Sequence, residues 1–302
     1  MTTSSHGSDP PRVGRRALLR SGAVLAVALS GCLGVDLGLE LPEDSPVRLR
    51  KQTVTTHQVP AGLPLAVLSD VGGVSVETAD RDRVKVVARA REEEHEDAVD
   101  RIVVSEQTRK GVFRLEARYP VPEFEPPAVD LRVVLPAGQP LVRLDVDEGF
   151  ATLDGTTGDT VVKVDRGDIT VTDADGFPDL DTSDGAVRVH GTRGLDRVET
   201  KAGDVAVDVH AIRRDVDIEA DAGNVVVALD PALHATIDVR TVTGRIVTEG
   251  LDLLDKEVSD TRVEGRLGEG GSQIEVKAGG DVTVRRYAPT PANPPDGEGT
   301  AS

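Results

Sequence analysis

The chain has 302 residues and a formal net charge of −18, from 53 acidic against 35 basic side chains. That length can bury a core without disulfide or metal staples, and its negative field repels nucleic acid, so a DNA- or RNA-binding role is excluded. Aromatic residues make up only 2% and tryptophan is absent, so a core must come from Val, Ile, Leu and Ala, which suits thin repeated layers better than a thick globule.

Residues 1–31 read as an export signal. A polar start carries the pair Arg15 and Arg16, a short apolar run covers residues 23–29, and small residues follow. The run is too short to cross a hydrocarbon core about 30 Å thick as a helix. Arg15-Arg16, followed by Leu18, Leu19 and Arg20, resembles the twin-arginine type of signal, whose route carries folded proteins. Leu29, Ser30 and Gly31 before Cys32 then read as a lipobox, with small residues admitting a peptidase and the thiol accepting the lipid. Cys32 is the only cysteine, so no disulfide or cysteine-rich metal site competes for it. A membrane is thus the first expected partner, reached through a lipid on Cys32 at the extracytoplasmic face. One acyl chain holds only reversibly, so stable residence calls for a two-chain lipid. Residues 32–46 are rich in Gly, Pro and acids without a clear period, which fits a flexible tether.

Residues 47–140 are expected to form a β-rich N-terminal cap. VLSDVGGVSV places Val67, Gly72, Val74 and Val76 in a pattern that returns later in the chain, and residues 84–88, 101–104, 112–117 and 129–135 alternate as strands do. The charged stretch REEEHEDAVD between the first two runs suits a helical turn or a solvated loop. A repeat stack must hide its end, so the segment is expected to pair in antiparallel fashion over the first coil.

From 141 to 287 one unit recurs with a period near 18. An apolar residue stands five positions before a glycine, and two more follow at plus two and plus four. Around Gly149 these are Leu144, Ala151 and Leu153; around Gly167, Val162, Ile169 and Val171; around Gly185, Leu180, Val187 and Val189. Gly203 has Val198, Val205 and Val207, and Gly223 has Ile218, Val225 and Val227. Gly244 has Val239, Ile246 and a polar departure at Thr248, and the last copy, IEVKAGGDVTV, uses Ile274, Gly279 or Gly280, Val282 and Val284.

Apolar residues two apart share one face of a strand, and β-branched residues favour that surface. Each unit is therefore two short strands joined at a glycine corner, where positive φ costs little. Asp168, Asp204, Asn224 and Asp281 beside these glycines are expected to hydrogen-bond their own turns. The fold class is all-β: a β-solenoid of about 18–21-residue coils with its antiparallel cap, the alternative being a β-sandwich of hairpins. Residues 288–302 form a Pro- and Gly-rich tail, expected to be disordered.

The first VGGVSVETADRDRVKVVA, the bridging VDLRVVLPAG and the repeated VETKAGDVAV type of unit resemble the "putative adhesin" family of bacterial and archaeal β-repeat domains, a domain of unknown function. The late VEGRLGEGGSQIEVKAGGDVTV is similar to that family's closing segment. The likeness spans residues 60–287. It implies a repeat β fold on or near the cell envelope and supplies no catalytic residues. Only seven of the basic residues are lysines, and this acid-rich, arginine-over-lysine balance resembles proteins of salt-loving archaea. In molar salt, with a Debye length of about 3 Å, the self-repulsion is screened.

Nucleophilic catalysis needs a Ser, Cys or Thr with a His base and an orienting acid. His6 lies in the signal, His57 and His95 in the cap, and His190, His210 and His234 at different offsets from their glycines, so they are not expected to cluster. Asp165, Asp184 and Asp221 recur near corners, where turn chemistry explains them; calcium is the less favoured reading, because the usual GGxGxD repeat is missing. No cofactor and no metal site is expected. The function expected is a non-catalytic, lipid-anchored surface module for adhesion or envelope scaffolding, with an envelope or cell-surface protein or glycan as ligand. A self-assembling β-helix is the alternative, and a polysaccharide-acting enzyme a third reading.

Overall fold

The computed structural model describes residues 52–70, 72–90, 99–119 and 129–288. Arg15, Arg16, Leu29, Ser30, Gly31, Cys32, the tether, His95 and the tail beyond Ala288 lie outside the described residues, as does most of the charged stretch after β4. Twenty-three strands are described. The first part holds β1 (Gln52–His57), β2 (Leu65–Ser69), β3 (Val74–Ala79), β4 (Val84–Ala90), β5 (Val103–Arg109), β6 (Val112–Arg118) and β7 (Val129–Pro136). Next come β8 (Leu141–Glu148), β9 (Ala151–Asp154), β10 (Val161–Arg166), β11 (Ile169–Thr172), β12 (Asp179–Asp184), β13 (Val187–His190), β14 (Arg197–Ala202), β15 (Val205–Val209), β16 (Val216–Ala222) and β17 (Val225–Leu229). The last are β18 (Ala235–Thr241), β19 (Ile246–Glu249), β20 (Leu254–Val258), β21 (Arg262–Leu267), β22 (Gln273–Ala278) and β23 (Val282–Arg286).

These strands make two sheets. Sheet A runs β1-β4-β7-β3-β9-β11-β13-β15-β17-β23-β19, and sheet B runs β20-β21-β18-β22-β16-β14-β12-β10-β8-β2-β6-β5. Successive strands of the array alternate between the sheets, and each pairs in parallel with its counterpart one coil away: Val162 faces Leu144 and Leu180, and Ile169 faces Ala151 and Val187. The hairpin sandwich would need β8 to pair with β9. Parallel pairing between coils rules that out and leaves a β-solenoid-like stack of two mixed, unclosed sheets.

The register aligns apolar residues into columns. In sheet B one column runs Leu115, Val67, Leu144, Val162, Leu180, Val198, Ile218, Val276, Val239, and none of the nine is more than 2% exposed. In sheet A, Leu131, Val74, Ala151, Ile169, Val187, Val205, Val225 and Val282 stack likewise. The inward side chains of both sheets form one hydrophobic cluster, and each buried Val or Leu contributes about 1.5–3 kcal/mol. Thr182 and Thr200 are also fully buried, each donating its hydroxyl to the corner carbonyl of the coil before, Gly167 and Gly185 (3.0 and 2.9 Å).

Several details differ from the sequence reading. The coils do not stack in chain order: β22 and β23 insert between β16/β17 and β18/β19. In that last copy the column residue is Val276, not Ile274, which instead faces Val216 and Ile237. The corner is one residue shorter there, so Gly280 meets Gly223 directly through its N–H (2.9 Å). Within residues 47–140, β1, β4 and β5 pair in antiparallel fashion, but β2/β3 and β6/β7 are parallel coils of the stack itself.

The corner glycines serve a purpose beyond turning. Gly72, Gly149, Gly167, Gly185 and Gly203 have φ between 132° and 157°, whereas Gly223, Gly244 and Gly280 have no positive φ. Six of the eight are aligned so closely that a Cβ would strike a corner carbonyl of the neighbouring coil: Gly149 under Gly167, Gly167 under Gly185, Gly185 under Gly203, Gly203 under Gly223, Gly223 under Gly280, Gly280 under Gly244. Close stacking therefore demands glycine even where the backbone angle does not. The adjacent carboxylates and amide likewise reach across coils rather than within a turn. Asp168 accepts from the N–H of Ala186 (2.8 Å), Asp204 from Asn224 (2.8 Å), Asn224 from Asp281 (2.9 Å) and Asp281 from Arg245 (2.8 Å).

Candidate functional site

Because side chains alternate along a strand, residues between the buried columns face outward, and the two sheets present different surfaces. On sheet B the register places Arg143, Val161, Asp179, Arg197, Asp217 and Glu275 in one outward column, and Asp145, Lys163, Asp181, Glu199, Glu219 and Lys277 in the next. Four cations of this face are paired, Arg143 with Asp145 (2.7 Å), Lys163 with Asp181 (3.7 Å), Lys277 with Glu275 (3.1 Å), and Arg197 with Glu199, whereas Arg114, further along the first column, and Arg109 have no ion pair among the described residues and line a second pocket with Arg143. Burial, followed by the charges of Asp165 and Asp145, holds the Asp147 carboxyl above its usual range.

On sheet A the corresponding column reads Ser75, Thr152, Thr170, Arg188, Ala206, Val226, Thr283, Val247, with a single charge. The neighbouring column runs Glu77, Asp154, Thr172, His190, Asp208, Ala228, Arg285 and Glu249. Ala206, Val226 and Ala228 make a low floor, and the longer side chains of β13 and β23 stand on either side of it. The result is a groove of about 350 Å³ lined also by Arg286 and Tyr287. Three strand spacings separate β13 from β23, about 14 Å.

His190, which lines the groove, and His210 meet at one carboxylate, against the expectation that the histidines stay apart. His190 Nδ1 lies 2.8 Å and His210 Nε2 3.5 Å from Asp208 Oδ2. Asp208 stands five residues after its corner glycine, as His190 does, so they are lateral neighbours; His210, two residues on, turns back to the same oxygen. Asp208 is buried, and Gly191 donates its N–H to the carboxylate (3.1 and 3.2 Å). The ring of Tyr287 meets that of His210 edge to face at 4.3 Å. Thr172, the strand partner of His190, makes no hydrogen bond to it, so the three groups do not form a nucleophile, base and acid relay.

Among the other predicted residues, His57 is buried against Glu106 with Thr55 at 2.8 Å, and His234 Nδ1 accepts from the N–H of Glu269 (2.9 Å). Asp165 and Asp221 sit on β10 and β16, and Asp184 ends β12. Among the described residues no three His, Cys, Asp or Glu side chains are placed to hold a metal ion. Sequence reading missed Arg188, Arg285, Arg286 and Tyr287. Their signal was the offset from the corner: Arg188 and Arg285 stand three and five positions after Gly185 and Gly280, at outward slots.

Fold and site together define an all-β repeat protein of two stacked sheets, with an arginine-walled groove on sheet A. Residues 142–285 match the domain family described as Toastrack DUF4097. Among solved structures, a "putative cell adhesion protein" of Clostridium sporogenes is similar at 12% identity, covering 79% of this chain and 100% of that one, with a TM-score of 0.37. A "putative adhesin" of Bacteroides fragilis shares 10% identity over 78% and 97% of the two chains (TM-score 0.36). A "putative lipid binding protein" of Parabacteroides distasonis shares 10% over 79% and 97% (TM-score 0.36). No curated protein matches the sequence.

Proposed function

We propose that this is an exported, lipid-anchored surface protein whose β-solenoid, with coils of 18–21 residues, is a non-catalytic binding module that makes contact through the groove of sheet A. The observation that carries the reading is the groove itself: sheet A keeps Arg285 and Arg286 exposed, without an ion pair among the described residues, over a floor of small side chains. Anchoring is supported by the sequence alone, through the Arg15-Arg16 signal and the lone Cys32. In this arrangement residues 32–46 tether the stack, and the antiparallel strands β1, β4 and β5 close its near end.

Filling the groove floor by Ala206→Trp, at an exposed position, should abolish retention of the purified chain on cell-envelope preparations while leaving its melting temperature unchanged. Full retention by a folded variant would remove the groove from the function. Cys32→Ser should end metabolic lipid labelling, and unchanged labelling would dismiss the anchor.

A second reading, end-to-end self-association, draws on the exposed apolar residues. Val54, Val103, Leu254 and Val258 are 48–67% exposed and lie on β1, β5 and β20, all edge strands. Light scattering that shows only monomers from low to molar salt would dismiss it.

A further inference from the structure

We propose that the groove between β13 and β23 binds an acidic polysaccharide, a polymer bearing carboxylate or sulfate groups. The inference rests on sheet A being the binding face and adds the chemistry of what is bound. Arg285 and Arg286 are exposed, and neither has an ion pair among the described residues. Arg188, on the opposite wall, holds Asp168 at 3.3 Å with both side chains more than half exposed, a pair easily exchanged for a ligand anion. In a chain of net charge −18, surface arginines would ordinarily find carboxylates, as Arg143 and Arg197 of sheet B do.

The acid inside the groove does not supply that partner. Asp208 is buried and already engaged by His190, His210 and the Gly191 N–H, and neither it nor Glu249, the strand neighbour of Arg285, forms an ion pair with Arg285 or Arg286. A guanidinium presents a planar fork that matches a carboxylate or sulfate with two hydrogen bonds, which makes arginine the suitable cation for such groups.

The shape argues for a polymer. The floor of Ala206, Val226 and Ala228 is flat and mildly apolar, fit for the face of a sugar ring, with the Tyr287 ring beside it. The walls stand about 14 Å apart by strand spacing, farther than one sugar reaches, so a ligand that touches both carries acidic groups on separate residues. Because the protein as a whole repels anions, selectivity must come from contacts inside the groove; beyond a Debye length of about 8 Å at physiological salt the net charge is screened.

The test is calorimetric titration of the purified full chain with polygalacturonate, dextran sulfate, uncharged dextran and phosphatidylglycerol vesicles. Polygalacturonate or dextran sulfate should bind and uncharged dextran should not, and the tighter of the first two identifies the acidic group. The double variant Arg285→Ala/Arg286→Ala should weaken binding at least tenfold with an unchanged melting curve, whereas Arg143→Ala on sheet B should not weaken it. The proposal is overturned if uncharged dextran binds equally, if the vesicles bind more tightly than either polymer, or if the folded double variant binds as the parent does. If Ala206→Trp abolishes envelope retention while the arginine variant retains it, the binding face survives and only the acidic ligand is lost.

Discussion

Between β8 and β17 the chain adds one coil per repeat, in order, whereas at both ends the order in space departs from the order in sequence. At the near end the first coil, β2/β3, lies against β8/β9, and the later coil β6/β7 sits outside it. At the far end the last coil, β22/β23, lies against β17 and β16, and the earlier β18/β19 sits outside it. The first and last coils in sequence are thus held between neighbours on both sides. Antiparallel strands then cover most of what remains: β4 and β5 outside β7 and β6, and β21 outside β18. A regular stack is held by nearest-neighbour contacts and frays from its ends; here the coils nearest the chain ends are the ones that cannot fray first. An antiparallel outer strand also offers a poor template for another parallel coil.

The sharpest way to break this comparison is truncation after Ser272, which removes β22 and β23. In a sequentially ordered stack the loss would merely shorten the array. Here it removes the partner of β16, β17, β18 and β19 at once, so residues 235–267 should lose protease resistance and the cooperative melt should broaden or vanish. A truncated chain that melts as the parent does would mean the inserted coil is dispensable. A mid-stack lesson comes from Gly203→Val. A β-branched residue at φ 148°, with its Cβ driven onto the Gly185 carbonyl, violates both backbone and stacking. The cost should be about 3 kcal/mol or more, read as a melting temperature lower by about 10 °C. No shift would mean the corners are looser than the stacked glycines imply.

The regular middle was legible because one unit states its own pattern: an inward residue before each glycine and two after it, which the register then aligns. The exchange of coil order at the ends was not legible, since every column of Val, Ile and Leu fits every other and nothing in a repeat names its neighbour. Ile274 was misassigned for a related reason: the Gly279-Gly280 pair allows two alignments, and only the contact of Gly280 with Gly223 selects one. The carboxylates beside the glycines were read as turn formers because their chemistry is local in sequence. In the stack, the N–H of the next coil lies within reach and takes the bond instead. The groove stayed hidden for the same cause, because Arg285 and His190 share a face only once β23 is known to follow β17.

The smallest predicted effects compare two carboxylates near opposite ends of sheet B. Arg262, by hydrogen bond, holds Asp238 below the usual carboxylate range; burial opposes this, and Arg240 reinforces it. The geometry is a clasp, with Arg262 Nε at 2.9 Å and an Arg240 nitrogen at 2.6 Å. A depressed folded pKa means stabilisation that is full above the unfolded value near 3.9 and lost as pH falls through the folded one. Asp238→Asn should therefore cost about 2 kcal/mol at pH 7 and much less below about pH 3. Asp147 carries the opposite sign. Burial first, then Asp165 and Asp145, raise its pKa, so its contribution favours the fold at low pH and is lost as pH rises through the folded value. Asp147→Asn should accordingly stabilise the protein at pH 7 by less than about 1 kcal/mol, given its exposure, and change nothing below pH 3. Melting temperatures of both variants between pH 3 and 8 decide the matter: curves that converge with the parent in acid from opposite sides support the assignment, and parallel offsets at all pH values refute it.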